Sequence, residues 1–125
     1  MPDPISVILC VDDETVPLTL RRFVLEKSGF AVIPASSAQQ ALDILNAQTV
    51  DLVLTDLLMP GLNGLELARK IKERTPALPI ILLSGVNEVP EGAECADLFL
   101  SKVEGPVAMC EKISEVLKNS RGTAV

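Results

Sequence analysis

Five polar residues with side chains suited to metal or phosphate chemistry occur at the ends of apolar runs in the sequence. These residues are Asp12, Asp13, Asp56, Ser84 and Lys102. Carboxylates bind hard divalent cations such as Mg²⁺, and a carboxylate can also attack phosphorus to form an aspartyl phosphate. A nearby ammonium group neutralises phosphoryl oxygens. The set therefore favours Mg²⁺ binding combined with phosphoryl chemistry on an aspartate.

Electrostatic repulsion among the carboxylates also points to a cation. Two carboxylates about 5 Å apart repel each other by roughly 3 kcal/mol at an effective dielectric constant near 20. Three carboxylates do not all stay ionised without a compensating charge, which a divalent ion supplies. Each residue alone has an ordinary explanation, namely a helix cap for Asp13, a turn for Ser84 and solvated surface for Lys102. The prediction therefore depends on their occurring together.

The composition argues against several other classes of site. The formal charge of −6 does not suit direct binding of a nucleic acid, which needs clustered Lys and Arg. The chain has no His, the commonest general base and metal ligand. Its three cysteines, Cys10, Cys95 and Cys110, form no CxxC pair and are interpreted as reduced thiols. No run is long enough to cross a membrane and the start does not fit a signal peptide, so we expect a cytoplasmic protein.

Strands alternating with helices are predicted along the whole chain. The predicted strands are Ile5–Val11, Phe30–Ala35, Val50–Thr55, Pro79–Leu83 and Leu98–Leu100. The first predicted helix starts at a Thr15 cap. Two further helices are predicted over Ser37–Gln48 and Leu65–Arg74, and the last over Val107–Lys118. This alternation predicts a single α/β domain over residues 1–125, with a core of residues 5–118 and a loose tail of residues 119–125. The carboxyl ends of parallel strands meet at one edge of the sheet, where binding sites form.

Three local patterns refine the prediction. Pro34 lies inside the second strand, which favours a position at the edge of the sheet. Ser37 and Gln40 have the spacing of a capping box at a helix start. The first helix is expected to face the core with the apolar stripe Val16, Leu20, Phe23 and Val24.

From about Ile5 to Leu117 the chain resembles the receiver domains of response regulators, the phosphoacceptor proteins of two-component signalling. The matching segments are Val11–Glu14, Asp56–Gly64, Leu83–Gly85 and Ala96–Lys102. The resemblance implies a flavodoxin-like, doubly wound, five-stranded parallel sheet of order 2-1-3-4-5. That order places the second strand at an edge, in agreement with Pro34.

The resemblance also implies roles for individual residues. Asp56 is expected to be the phosphoacceptor. Asp13 and Asp56 would bind Mg²⁺ directly, together with the backbone carbonyl of Leu58, and Asp12 would act mostly through metal-bound water. Lys102 would pair first with the carboxylate and then with the phosphoryl group.

Further expectations concern the response and the partners. Ser84 is expected to turn towards the phosphoryl group and Phe99 to move with it, while Gly85 leaves the phosphoryl path open. A histidine kinase or phosphotransfer protein would supply the phosphate, and the output would go to an unknown downstream protein. The chain would not be an enzyme beyond self-catalysed phosphotransfer and slow autodephosphorylation. It is expected to be a monomer or weak dimer that contacts neither membrane nor nucleic acid directly.

Two departures from the family pattern lie beside the site. Val103 follows Lys102 where the family usually has Pro in a cis bond. A cis bond before a residue other than Pro costs about 3–4 kcal/mol, so we predict a trans bond. Leu58 is apolar where polar side chains are common, and it offers no hydrogen bond to a hydrolytic water.

A third departure is the short crossover between the fourth and fifth strands. Only fourteen residues separate Ser84 from Phe99. Pro90 disfavours a helix through this segment by about 3 kcal/mol and Gly92 by about 1 kcal/mol. We therefore predict a shortened or irregular helix here, either broken at Pro90 or starting at it after a loop.

Three alternatives stay open at this point. A pseudo-receiver would use the same fold as an interaction module without phosphorylation. A phosphatase of the haloacid dehalogenase type also uses strand-end aspartates and Mg²⁺, although it needs an Asp-x-Asp pair rather than the adjacent Asp12 and Asp13. A flavin-binding protein would need a Gly-rich phosphate loop and stacking aromatics, and the chain has no Trp or Tyr.

Overall fold

The five strands form one parallel sheet in the order β2-β1-β3-β4-β5. The structure is a computed structural model that describes residues 5–57, 59, 61, 63–85 and 96–122. The strands are β1 (Val7–Val11), β2 (Ala31–Ala35), β3 (Leu52–Asp56), β4 (Ile80–Ser84) and β5 (Leu98–Ser101). The predicted fold class and strand order are therefore confirmed.

The helices of the described residues follow the predicted alternation. They are α1 (Thr15–Lys27), α2 (Ala38–Ala47), α3 (Gly64–Arg74) and α4 (Gly105–Gly122), with a 3-10 turn over Lys102–Glu104 before α4. The predicted loose tail is wrong for residues 119–122, which continue α4 because no Gly or Pro interrupts it before Gly122. Among the residues that the structure describes, no helix combines the length and the apolar character that crossing a membrane requires.

Helices cover both faces of the sheet and enclose two aliphatic cores. Alternate residues of β1 to β4 enter opposite cores, as the period of an extended chain requires. The first core is completed by residues of α1 and α4, namely Leu18, Leu25, Met109, Ile113 and Leu117. The second is completed by residues of α2 and α3, namely Ala38, Ala41, Leu67, Ala68 and Ile71. The continuous apolar strands are explained by this burial on both faces.

The edge position of β2 and the cap of α2 agree with the sequence. Pro34 lies opposite Cys10 of β1, and no strand of the described residues flanks β2 on its other side, so the missing donor costs no ladder bond. Ser37 caps α2 by accepting a hydrogen bond from the Gln40 amide at 3.0 Å. The Gln40 side chain accepts a bond from the amide of Ser36 at 2.6 Å, which is one residue earlier than a standard capping box.

The predicted buried face of α1 is wrong for three of its four residues, whereas the fourth, Val24, packs against the first core. Val16, Leu20 and Phe23 are 59–69% exposed, whereas Leu18 and Leu25 are buried. Leu18 and Leu25 are seven residues apart and therefore lie on one face, and Arg21 lies between them on that same face. The buried face was not recognisable as an apolar stripe, because a charged residue, Arg21, lies within it. The helix is also capped by Glu14 rather than Thr15, with no side-chain cap bond.

The end of the sheet opposite the acidic residues is stabilised by Lys72 of α3. Its Nζ donates to the backbone carbonyl of Leu78 at 2.8 Å and to Asp97 Oδ2 at 2.8 Å. The same carboxylate oxygen accepts a hydrogen bond from the Ile80 amide at 2.7 Å. Asp97 immediately precedes β5, so this network fixes where β4 and β5 begin.

Some sequence predictions concern residues that the structure does not describe. The crossover at residues 86–95, the Leu58 carbonyl and residues 123–125 lie outside the described part of the chain. No peptide bond between described residues is cis, so the bond between Lys102 and Val103 is trans, as predicted.

Candidate functional site

Three carboxylates meet where β1 and β3 end side by side. Val11 pairs with Thr55 in the register of these strands, so the residues that follow each of them are neighbours. One carboxylate oxygen each from Asp12, Asp13 and Asp56 lies within 4.8 Å of the others. Asp12 and Asp56 are buried and Asp13 is exposed, so the cluster opens to solvent on one side.

The ammonium group of Lys102, the residue that follows β5, contacts the acid cluster. Its Nζ lies 2.9 Å from Asp56 Oδ1, in an ion pair whose side chains are 36% and 8% exposed. Lys102 is the first residue of the 3-10 turn after β5, and this turn holds the side chain over the strand ends. The trans bond to Val103 is thus compatible with the expected placement of Lys102 beside Asp56.

Arg21 provides a second cation at the site, which the sequence analysis missed. Its Nη1 donates to Asp12 Oδ2 at 3.1 Å, and the two side chains are only 10% and 1% exposed. The other oxygen, Asp12 Oδ1, accepts a hydrogen bond from the Glu14 amide at 2.9 Å. The signal in the sequence was the spacing Leu18–Arg21–Leu25, which places a guanidinium on the buried face of α1.

The structure places the expected switch residues on the neighbouring strands. Ser84 ends β4 and is 1% exposed, and Leu83 before it pairs with Asp56 of β3. Ser84 pairs with Ser101, and Phe99 lies two residues before Ser101 on β5. Because strand residues two apart share a face, Ser84 and the half-buried Phe99 lie on the same face of the sheet.

Gly64 is a second residue whose role the sequence did not reveal. A Cβ atom built on Gly64 would lie 2.2 Å from the backbone oxygen of Asp56, far inside van der Waals contact. The Gly64 amide also donates to the Leu57 carbonyl at 2.9 Å. The start of α3 therefore packs directly on the main chain of Asp56 and Leu57. A glycine as the first residue of a helix, where better helix formers are available, was the signal.

The donor set fits a hard divalent cation such as Mg²⁺. All three candidate ligands are carboxylates, the ligand type that Mg²⁺ binds, together with waters and phosphate. The nearby Cys10 thiol does not suit metal binding, because burial raises its pKa to about 11 and keeps it protonated. The three carboxylates and the cations Lys102 and Arg21 leave one net negative charge.

The sequence matches the family model "Response regulator receiver domain" over residues 8–114. It is 32% identical over 117 residues to PhoP, the alkaline phosphatase synthesis transcriptional regulatory protein of Bacillus subtilis, covering 90% of this chain and 49% of PhoP. It is 34% identical over 121 residues to PhoB, the phosphate regulon transcriptional regulatory protein of Pseudomonas aeruginosa, covering 92% of this chain and 53% of PhoB. The chain thus spans about half the length of these two relatives.

Solved structures of response regulators and their receiver domains have the same fold as this chain. A receiver domain from Clostridium thermocellum has a TM-score of 0.86 and 31% identity, covering 94% of this chain and 98% of that one. The response regulator TrrA of Thermotoga maritima, in complex with Mg²⁺-BeF, has a TM-score of 0.84 and 29% identity, covering 89% and 98%. The matched length, the strand order and the residues at the strand ends agree, and the chain belongs to the response regulator receiver domain family.

Proposed function

We propose that this receiver domain accepts a phosphoryl group on Asp56 in a Mg²⁺-dependent step of a two-component relay. The observation that carries the proposal is the meeting of three carboxylates and the Lys102 ammonium at one edge of the sheet. Asp56 is the member of the cluster in direct contact with Lys102. This arrangement gives the nucleophile and the charge that neutralises the incoming group at one point.

The reaction requires little covalent chemistry from the protein. A carboxylate oxygen of Asp56 attacks the phosphorus of a phosphorylated donor and a new O–P bond forms. The bond between phosphorus and the donor breaks, and its electron pair leaves with the donor atom. Lys102 moves from pairing with the carboxylate alone to pairing with the added phosphoryl oxygens. Asp12, Asp13 and Asp56 would hold Mg²⁺, with the Leu58 carbonyl as a further ligand proposed from the sequence. The bound ion would neutralise charge that develops on those oxygens.

The response is proposed to pass through Ser84 and Phe99. Ser84 ends the strand beside Asp56 and carries a hydroxyl that can donate to a phosphoryl oxygen. Phe99 is half-buried on the same face one strand further out. A shift of Ser84 towards the phosphoryl group would change the space beside it, which Phe99 can then occupy.

The relay partners are proposals that follow from the family. The phosphoryl donor would be a histidine kinase or a phosphotransfer protein, and the output would pass to a downstream protein that the site does not identify. We propose that residues 1–125 act as one receiver domain, as a monomer or weak dimer, with slow autodephosphorylation. The names of PhoP and PhoB, two transcriptional regulatory proteins, and the Mg²⁺-BeF complex of TrrA support a signalling role of this kind.

Intact-mass measurement after incubation with acetyl phosphate and Mg²⁺ tests the proposal. Wild type should gain the mass of one phosphoryl group, and both Asp56→Asn and a chelator should abolish the gain. Asp43→Asn is a matched control, because Asp43 is an exposed carboxylate on α2 that accepts a hydrogen bond from Gln39 of the same helix. A gain that persists in Asp56→Asn or ignores the chelator contradicts the proposal. No gain in wild type favours a pseudo-receiver.

A further inference from the structure

The buried ion pair between Arg21 and Asp12 connects α1 to the candidate metal site. Arg21 is on the same face of α1 as Leu18 and Leu25, so its guanidinium is directed towards the sheet rather than towards solvent. Its next neighbour, Arg22, has a side chain that is 48% exposed and pairs at 3.4 Å with Glu26 on the surface. Two adjacent arginines thus have the same charge and different surroundings.

We propose that Arg21 is a positioning residue that holds the Asp12 carboxylate and weakens Mg²⁺ binding by opposing the charge of the ion. This inference rests on the proposed Mg²⁺ site and adds a residue that tunes it. In the absence of metal, the guanidinium of Arg21 compensates the carboxylate of Asp12, and the two charges balance within a nearly solvent-excluded contact.

The first part of the argument concerns Asp12 itself. Both of its carboxylate oxygens are engaged, one by the Glu14 amide and the other by Arg21. A carboxylate that is 1% exposed is costly to keep ionised without a partner. Arg21 therefore stabilises the site without metal, and an incoming ion has to share Asp12 with a cation that is already bound to it.

The second part concerns the net charge that an ion meets. With Arg21 present, the five charged side chains at the site sum to one negative charge. Removing the Arg21 charge doubles that negative charge. Because Arg21 and Asp12 are almost completely buried, solvent and salt screen this difference less than they screen a surface charge.

The substitutions Arg21→Gln and Arg21→Lys separate charge from shape. Gln keeps a donor for Asp12 and removes the charge, whereas Lys keeps the charge on a different head group. Arg22→Gln makes the same change in total charge one residue away, at the exposed pair with Glu26, and is the matched control. Mg²⁺ affinity is measured by calorimetric titration, and the melting temperature is measured with and without Mg²⁺.

We expect Arg21→Gln to bind Mg²⁺ about tenfold more tightly than wild type, because a full positive charge beside the carboxylate cluster is removed. The same variant should melt at a lower temperature without Mg²⁺ and recover more of that loss when Mg²⁺ is added. Arg21→Lys should stay within about threefold of wild type, and Arg22→Gln within about twofold. A residue that only packs against the sheet would lower the melting temperature without changing the affinity.

Two results overturn the inference. Arg21→Gln with the Mg²⁺ affinity of wild type shows that the Arg21 charge does not act on the ion. Arg21→Gln with weaker affinity shows that the orientation of Asp12 matters more than the opposing charge. Neither result concerns Mg²⁺ binding or phosphorylation of wild type, so the proposed function stands in both cases. A wild type that binds no Mg²⁺ overturns the proposed site and this inference together.

Discussion

Replacing Gly64 with Ala tests how closely α3 packs on the end of β3, which carries the proposed phosphoacceptor Asp56. A Cβ at this position would be 2.2 Å from the Asp56 oxygen, where ordinary contacts begin near 3.4 Å, so the backbone has to move by about 1 Å. Overpacking of this kind costs roughly 1–3 kcal/mol, and the better helix propensity of Ala returns at most about 1 kcal/mol. We therefore expect a net loss of about 1–2 kcal/mol in the free energy of unfolding. For a domain of this size, that loss lowers the melting temperature by about 4–8 °C.

The same displacement should affect phosphorylation, because the atom that is pushed belongs to the main chain of Asp56. A shift of about 1 Å at a reacting group can slow its reaction up to about a hundredfold, and we expect at least a tenfold slower gain of phosphate from acetyl phosphate. Gly85→Ala is the control for the melting temperature alone, because nothing lies within 4 Å of a Cβ at Gly85 and its φ is ordinary. The control for the phosphorylation rate is Asp43→Asn, which changes an exposed carboxylate on α2. Calorimetry and time-resolved mass measurement give both quantities. A Gly64→Ala variant that melts within about 1 °C of wild type refutes the packing argument.

Three further predictions concern single side chains. Lys102→Met should still bind Mg²⁺ in a calorimetric titration but should show a smaller phosphorylation-dependent change in hydrogen exchange, and an unchanged response contradicts the role of Lys102. Leu58→Asn should lose its phosphate faster than wild type in a mass time course, because an Asn side chain can orient the hydrolytic water. This prediction rests on the sequence alone, and an equal rate of loss counts against it. Burial raises the pKa of Cys10 from 9.0 to about 11, so its contribution to stability is complete below about pH 9 and is lost as pH rises through about 11. Denaturant unfolding at several pH values should therefore show a smaller alkaline loss for Cys10→Ala, and equal losses exclude Cys10 as the cause.

The sheet was predictable because its inner strands β1, β3 and β4 are buried on both faces. A strand covered by helices on both sides must be apolar at every position, and such runs are visible in the sequence at β1, β3 and β4. Pro34 marked the edge strand for an equally simple reason, its missing donor. Strand limits were less accurate, and Ile5, included in the first predicted strand, is exposed and outside β1. The resemblance supplied the strand order, which alternation alone does not determine.

The candidate site was only partly visible in the sequence. Residues at strand ends could be grouped because parallel strands end at one edge, and the structure does bring Asp12, Asp13, Asp56 and Lys102 together. Arg21 was missed because its burial depends on which face of α1 meets the sheet, and the apolar residues suggested the other face. The close approach at Gly64 is equally invisible in a sequence, because it depends on where α3 crosses the end of β3.

The network of Lys72 and Asp97 has a mechanical consequence for signalling. Asp97 is bonded to α3 and to the first residue of β4, so the beginning of β5 is held at the edge of the sheet far from the acid cluster. Lys102, which contacts Asp56, follows the last residue of the same strand. With one end anchored, a pull on Lys102 should tilt β5 about Asp97 instead of sliding the strand along β4. The register with β4 would then survive each cycle of phosphorylation, and the largest displacement would occur at the end of β5 next to Asp56.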